Sequence, residues 1–192
     1  MVYNNLMSRT KVIKFKNGAT LLYKKKRNNN YTAVNIGFGS GSLDNEKNGV
    51  AHFLEHQLFK QTQNRTEEQI NQDRDSLCFL NAYTSPYAIF VVFSRTNKLI
   101  DKSFEFASDI LLNSKFSDKY IEEEKQVITE ERRIENDKIK KNIRYQHNFI
   151  LTDTPRTKDN ILGSFEDIKN ITKKDLQEYN KNCWQQIINV VE

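Results

Sequence analysis

Two different periods occupy the N-terminal part of this chain, and no single kind of layer satisfies both. The segment TKVIKFKNGATLLYKKK alternates apolar and polar residues about Asn17-Gly18, a dipeptide that strongly favours a hairpin. YTAVNIGFGSGS reads as a third strand that ends in a glycine-serine loop. From residue 48 the spacing turns helical, through Val50, Phe53, Leu54 and Leu58. Strand alternation buries one face of a sheet, whereas helical spacing buries a stripe. A chain that carries both lays helices against a sheet.

The mixture continues to the C-terminus. Thr66 to Arg74 reads as a short polar helix, with Thr66 as its cap and Glu67-Glu68 at its positive end. LCFLNAYTSPYAIFVVFSR is rich in aromatic and β-branched residues and reads as a strand pair that turns near Ser85-Pro86. Asn97 to Asn113 returns to helical spacing, and Ser117 to roughly Ile150 is a long charged helical stretch. Thr172-Lys173-Lys174-Asp175 is a capping box that opens a last helix, and WQQIINVVE reads as a final strand. The order βββα-α-ββ-α-αα-α-β predicts an α+β domain, with a mixed, largely antiparallel sheet and helices mainly on one face. A single domain over residues 1–192 is expected, since 22.7 kDa suffices for one core.

Charge and cysteine usage narrow the function classes. The net charge is +5, which admits an acidic or nucleic-acid partner. Much of that excess sits in Lys24-Lys25-Lys26-Arg27 beside Asn28-Asn29-Asn30, which reads as a solvated hairpin tip, and no nucleic-acid signature accompanies it. Cys78 and Cys183 stand far apart, outside any C-x-x-C spacing. They read as small buried hydrophobes in a reduced compartment. The N-terminus has no apolar leader and no long apolar run follows, so a cytoplasmic protein without membrane contact is expected.

GVAHFLEHQLFKQT, residues 49–62, holds two of the chain's three histidines. On a helix His52 and His56 lie one turn apart on one face, with Glu55 flanking it. Zinc accepts neutral imidazole nitrogens, and a catalytic site keeps one position for water. Zinc lowers that water's pKa from about 15.7 towards about 7, and a carboxylate alongside can take its proton. His-x-x-Glu-His is the inverted order of a zinc peptidase motif. The competing reading is an ordinary amphipathic helix with three polar residues. Against it, Val50, Ala51, Phe53, Leu54, Leu58 and Phe59 cover much of the helix, and polar groups inside such a helix need partners.

A third ligand would be an acid further along. EEEKQVITEERRIEND offers Glu122, Glu123, Glu124, Glu130, Glu131 and Glu135. Val127, Ile128 and Ile134 mark an apolar face, and Glu124 and Glu131 share that side. Glu122, Glu123 and Glu130 read as a solvated acidic face.

NGVAHFLEHQLFKQT, LNAYTS, LLNSKFS and EKQVITEERR resemble the insulinase–pitrilysin family, which includes the mitochondrial processing peptidase. ILGSFEDIKNITKKDLQEYNKN is similar to that family's later segment, and the match runs in order from about Thr10 to the C-terminus. The resemblance implies one Zn²⁺ per chain on His52, His56 and Glu131, with Glu55 as the catalytic base. It implies that Glu124 orients a histidine or Glu131. It places Asn81, Ala82, Tyr83 and Thr84 on a sheet-edge strand to which a peptide substrate adds. Gln57 and Gln61 stand where the family usually has Met and Gly, and the Asp-Pro pair often found after the ligand glutamate is absent at IENDKIKK. Family members close two similar halves like a clamshell, and this chain resembles the zinc-bearing half only. The family's second half supplies the Arg and Tyr that hold the substrate carbonyl, and they have no counterpart here.

The expectation is a zinc endopeptidase subunit that cleaves short or unfolded peptides, completed by a partner chain in a heterodimer or by a second copy in a homodimer. The alternatives are a catalytically idle structural or substrate-binding subunit and, less favoured, a basic nucleic-acid-binding domain.

Overall fold

The computed structural model describes residues 10–26, 28–44, 47–77, 79–136, 161–183 and 187–191. Strands β1 (Lys11–Lys14) and β2 (Thr20–Tyr23) form the expected hairpin. Its loop is longer than the two residues Asn17-Gly18. Gly18 donates to the Phe15 carbonyl at 3.1 Å and Phe15 donates to Ala19 at 2.8 Å. Gly18 takes φ 89°, the left-handed value that closes such a loop without a side-chain clash.

Strand β3 (Tyr31–Phe38) pairs antiparallel with β5 (Ile89–Thr96), and β5 pairs antiparallel with β4 (Phe79–Thr84). The last strand, β6 (Ile187–Val191), inserts between β2 and β3, parallel to β2 and antiparallel to β3. The sheet order is β1-β2-β6-β3-β5-β4. This corrects the reading of Lys24 to Arg27. Lys25 and Lys26 are exposed as expected, but β2 and β3 are not neighbours, so the segment is a connection across β6 and not a hairpin tip. Arg27 lies outside the described residues.

Alternation decides the two faces of the sheet. Leu80 and Ala82 on β4, with Ile89, Val91 and Phe93 on β5, are buried, while Phe79, Asn81 and Tyr83 are exposed. Helices α1 (Val50–Gln57) and α3 (Ile100–Leu112) pack on the buried face, contributing Phe53, Leu54, Phe106 and Ile110 to one core. On the opposite face Tyr83 stacks on its cross-strand partner Phe90, ring centres 4.9 Å apart. Helix α2 (Glu67–Leu77) begins with the Thr66 cap, closed by reciprocal bonds with Gln69. It runs three residues past the predicted end at Arg74. Helices α4 (Asp118–Asn136), α5 (Phe165–Asn170) and α6 (Lys173–Cys183) complete the helical layer. The Thr172–Asp175 capping box is present at α6, and a second box, Ser164–Asp167, opens α5. The predicted continuation of α4 from residue 137 to 150 lies outside the described residues, as does Cys78. Cys183 is free and buried.

The buried side of α4 meets expectation at Glu124 and Ile128 and departs from it at Val127 and Ile134. Ile121, Glu124, Ile128 and Glu135 face the protein, whereas Val127 is 50% exposed and Ile134 58%. The predicted stripe took in every aliphatic residue of the segment. The inward stripe is set by what α1 presents to α4, and that includes a charge.

The loop between α1 and α2 is tied to α3 through Asp109, which is buried. Its carboxylate accepts from Thr62 Oγ1 at 2.7 Å, from Asn113 Nδ2 at 2.8 Å, from Arg65 at 2.7 Å and from Asn64 Nδ2 at 2.5 Å. Burial alone would raise this carboxyl, but the hydrogen bonds from Thr62, Asn113 and Arg65 outweigh it and hold it below the usual 3.8. Asp109→Ala removes the acceptor from four donors and leaves the partly buried Arg65 cation short of a partner. Denaturant unfolding is expected to register a loss of about 3–5 kcal/mol. A depressed carboxyl contributes its stability above its unfolded value and loses it as pH falls through the folded one. The difference between wild type and variant should therefore narrow below about pH 4. A variant as stable as wild type at neutral pH would remove Asp109 from this role.

Candidate metal centre and catalytic site

The site is built on α1. Its N-terminus is seated by Gly49, whose φ of 79° lies in the left-handed region and whose missing Cβ would stand 2.6 Å from the Leu162 carbonyl oxygen. Only glycine meets both conditions. The helix then buries Val50, Ala51, Phe53 and Leu54, which fixes the direction of its polar stripe.

That stripe carries His52 and His56, ring centres 4.6 Å apart. Glu131 reaches them from α4. Its Oε2 is 3.7 Å from His52 Nε2 and 3.5 Å from His56 Nε2. His52, His56 and Glu131 offer ligand atoms that all lie within 4.8 Å of one another. Ligand atoms about 2.0–2.2 Å from one tetrahedral centre would stand about 3.4 Å apart. Two imidazole nitrogens and a carboxylate oxygen are also a zinc donor set. The residues therefore fit one such ion.

Glu124, also on α4, is almost fully buried and stands behind His56, its Oε2 2.7 Å from His56 Nδ1. Lys60 Nζ contacts the other oxygen at 2.7 Å. Burial pushes Glu124 up, but the bonds from His56 and Lys60 prevail and hold it below the usual carboxylate value. His52 and His56 diverge. Burial, then the neighbouring His56 charge, lowers His52 to about 4. Burial also acts downward on His56, but its bonds to Glu124 and Glu131 raise it to about 9.

Glu55 completes the group from the same helix. Burial raises its pKa, opposed by a hydrogen bond from Thr84, and its carboxylate also feels His56 and Glu131. Thr84 Oγ1 donates to Glu55 Oε2 at 2.6 Å. A carboxylate on α1 is thus held by the last residue of β4, an edge strand of the sheet among the described residues.

The structure brings together His52, Glu55, His56, Glu124 and Glu131. Of the four residues expected on the edge strand, Thr84 reaches Glu55. Ala82 is buried in the core, and Asn81 and Tyr83 face the open side of the sheet. Glu122, Glu123 and Glu130 are exposed as expected. Lys60 was not among the residues expected at the site, although its spacing carries a signal, since His52, His56 and Lys60 stand at intervals of four residues, the last just beyond α1. Gln57 is fully buried and donates to the Tyr120 carbonyl at 3.2 Å, which ties α1 to α4 beside the site.

Residues 20–158 match the family described as Insulinase (Peptidase family M16). The chain belongs to the insulinase family. The β subunit of the mitochondrial-processing peptidase of Saccharomyces cerevisiae is 36% identical over 175 residues, which is 88% of this chain and 37% of that protein. The human β subunit is 34% identical over 150 residues, or 76% of this chain and 30% of its own length. The chain thus spans about a third of the length of these relatives. Among solved structures, a protease from Helicobacter pylori superposes with TM-score 0.83 at 23% identity, over 94% of this chain and 45% of that one. An inactive peptidase M16 domain from Pseudomonas fluorescens superposes with TM-score 0.85 at 14% identity, over 95% of this chain and 46% of that one. At such identities the superpositions establish a shared insulinase-family fold.

Proposed function

We propose that this chain is the zinc-bearing half of a peptidase that cleaves extended peptides. The observation that carries the reading is the convergence of one ligand atom each from His52, His56 and Glu131 within 4.8 Å, with Glu55 alongside. His52 and His56, as neutral imidazoles, and Glu131 would hold the ion. Bound there, zinc supplies a Lewis acid for the scissile carbonyl and for a water.

The chain's own residues do the rest. Glu55 takes the proton of the attacking water and later passes it to the leaving amine. Its raised pKa makes it a better base than an exposed carboxylate, and Thr84 occupies Oε2 so that Oε1 serves the water. Glu124 holds His56 Nδ1–H, which directs Nε2 outward. Strand β4 ends the sheet among the described residues, and its outer backbone edge suits an extended peptide added antiparallel. Backbone pairing through Asn81 to Thr84 would fix such a peptide without reading its sequence.

Thr84→Val keeps the shape and removes the bond to Glu55. In the complete enzyme kcat is expected to fall about ten-fold, the cost of one hydrogen bond to a charged group, with zinc content unchanged. Steady-state kinetics and metal analysis check this together. An effect on KM alone would assign Thr84 to substrate binding only.

A second chain or further segment is proposed to supply the other half, since the relatives this chain matches are more than twice its length. The free, buried Cys183 suits a reducing compartment such as the cytoplasm, and no described helix is long and apolar enough to cross a membrane. The inactive domain from Pseudomonas fluorescens favours a second reading, an idle subunit that keeps the fold without the chemistry. One experiment separates the two. Purified protein, alone and with the product of any adjacent gene, is analysed for zinc, mass and peptide hydrolysis. One zinc per chain and hydrolysis in the larger assembly support the peptidase. A zinc-free assembly without hydrolysis supports the idle subunit.

A further inference from the structure

Lys60 lies one turn beyond His56, just past the end of α1, with a side chain only 21% exposed. Its ammonium sits between two carboxylates from different helices. Nζ is 2.8 Å from Glu67 Oε1, in the first turn of α2, and 2.7 Å from Glu124 Oε1 on α4. The second oxygen of Glu124 is the one beside His56 Nδ1. A continuous row, Glu67–Lys60–Glu124–His56, therefore runs from the surface to a candidate ligand.

We infer that Lys60 is a positioning residue for the metal centre, acting through Glu124. By holding Oε1 it reserves Oε2 for His56 and keeps the imidazole turned with Nε2 towards His52 and Glu131. This rests on the zinc reading above and extends it to a residue that touches none of the three ligands.

The physical case has three parts. A terminal carboxylate torsion is broad, so a glutamate with a single partner can exchange its oxygens or swing away. Glu124 is 3% exposed, and a second strong contact on Oε1 removes that freedom. Next, an imidazole that binds a cation through Nε2 is neutral, with its proton at Nδ1. Once that happens, Lys60 is the remaining cationic side chain paired with Glu124 among the described residues. A buried carboxylate stripped of cationic partners is costly, and it would be drawn towards the ion itself. Finally, an ammonium is a compact charge that can meet two separated carboxylates at once, as Lys60 does between α2 and α4.

The test uses the complete protein with the variants Lys60→Met, Lys60→Arg, Glu124→Gln and the Lys60→Met/Glu124→Gln pair. Zinc affinity is measured by competition with a chelator of known strength, and thermal unfolding is followed in the zinc-free state. Lys60→Met is expected to weaken zinc binding about 10- to 100-fold, the range for loss of a ligand's supporting partner. Lys60→Arg should recover most of it. In the Glu124→Gln background Lys60→Met should cost nothing further, because its route to the metal is already cut. If the methionine variant does not fold, Lys60→Gln keeps the stem without the charge and carries the same expectation. Wild-type affinity in Lys60→Met, or losses that add fully to those of Glu124→Gln, would overturn the inference while leaving the zinc site standing. A wild-type protein that takes up no zinc would sink the reading beneath it as well.

Discussion

Glu55→Gln is expected to leave zinc bound and to lower hydrolysis by the complete enzyme by about 10²- to 10⁴-fold, the usual contribution of a general base. Glutamine keeps the length and shape of glutamate, and its carbonyl oxygen still accepts from Thr84 Oγ1, now at 2.6 Å from Glu55 Oε2. The fold around α1 should therefore persist. What is lost is the capacity to accept a proton. Because the proposed ligands His52, His56 and Glu131 do not include Glu55, zinc content should match wild type. Metal analysis and kcat on one preparation decide the matter. Full activity would remove Glu55 from its role as base, and loss of zinc together with activity would recast it as a support for the ligands.

His52→Ala and His56→Ala are each expected to abolish both zinc binding and hydrolysis. Sharing about 10–16 kcal/mol of zinc binding among a few ligands gives several kcal/mol for each, or roughly a thousand-fold in affinity. The two variants should nonetheless differ in the zinc-free protein. His52 Nδ1 is buried and has no hydrogen-bond partner among the described residues, so its removal strands no donor or acceptor among them. His56 Nδ1 contacts Glu124, and deleting that ring strands a buried carboxylate oxygen at about 1–3 kcal/mol. The difference depends on pH in a fixed sense. His56 is raised from 6.5 to about 9 in the folded state. A raised pKa stabilises fully below the unfolded value and loses that effect as pH rises through the folded one. His56→Ala should therefore be most destabilising near pH 6 and least above pH 9. Denaturant unfolding at those two values measures it, and equal losses at both would show that the ring acts by packing alone.

The polar stripe of α1 was legible in the sequence because its histidine pair is local. Two histidines at a separation of four residues share a helix face whatever surrounds them, and the aliphatic residues between them determine which face turns inward. The hairpin, the β4–β5 pair and the capping box at Thr172 were legible for the same reason, since each depends on residues a few positions apart. The family resemblance then singled out Glu131 among six acids, and the structure brings it to both imidazoles.

What only the tertiary structure decided involves segments far apart along the chain. The apolar face read over residues 122 to 137 took in Val127 and Ile134, yet they are 50% and 58% exposed, whereas Glu124, read on the same side, is buried. A charge enters that layer because His56 and Lys60, each more than sixty residues away in sequence, meet both of its oxygens. The insertion of β6 between β2 and β3, and the reach of Thr84 to Glu55, are of the same kind. Local spacing fixes which face a side chain occupies on its own element. It carries no information about the register in which two elements meet, and that register determines which polar groups can be buried in pairs.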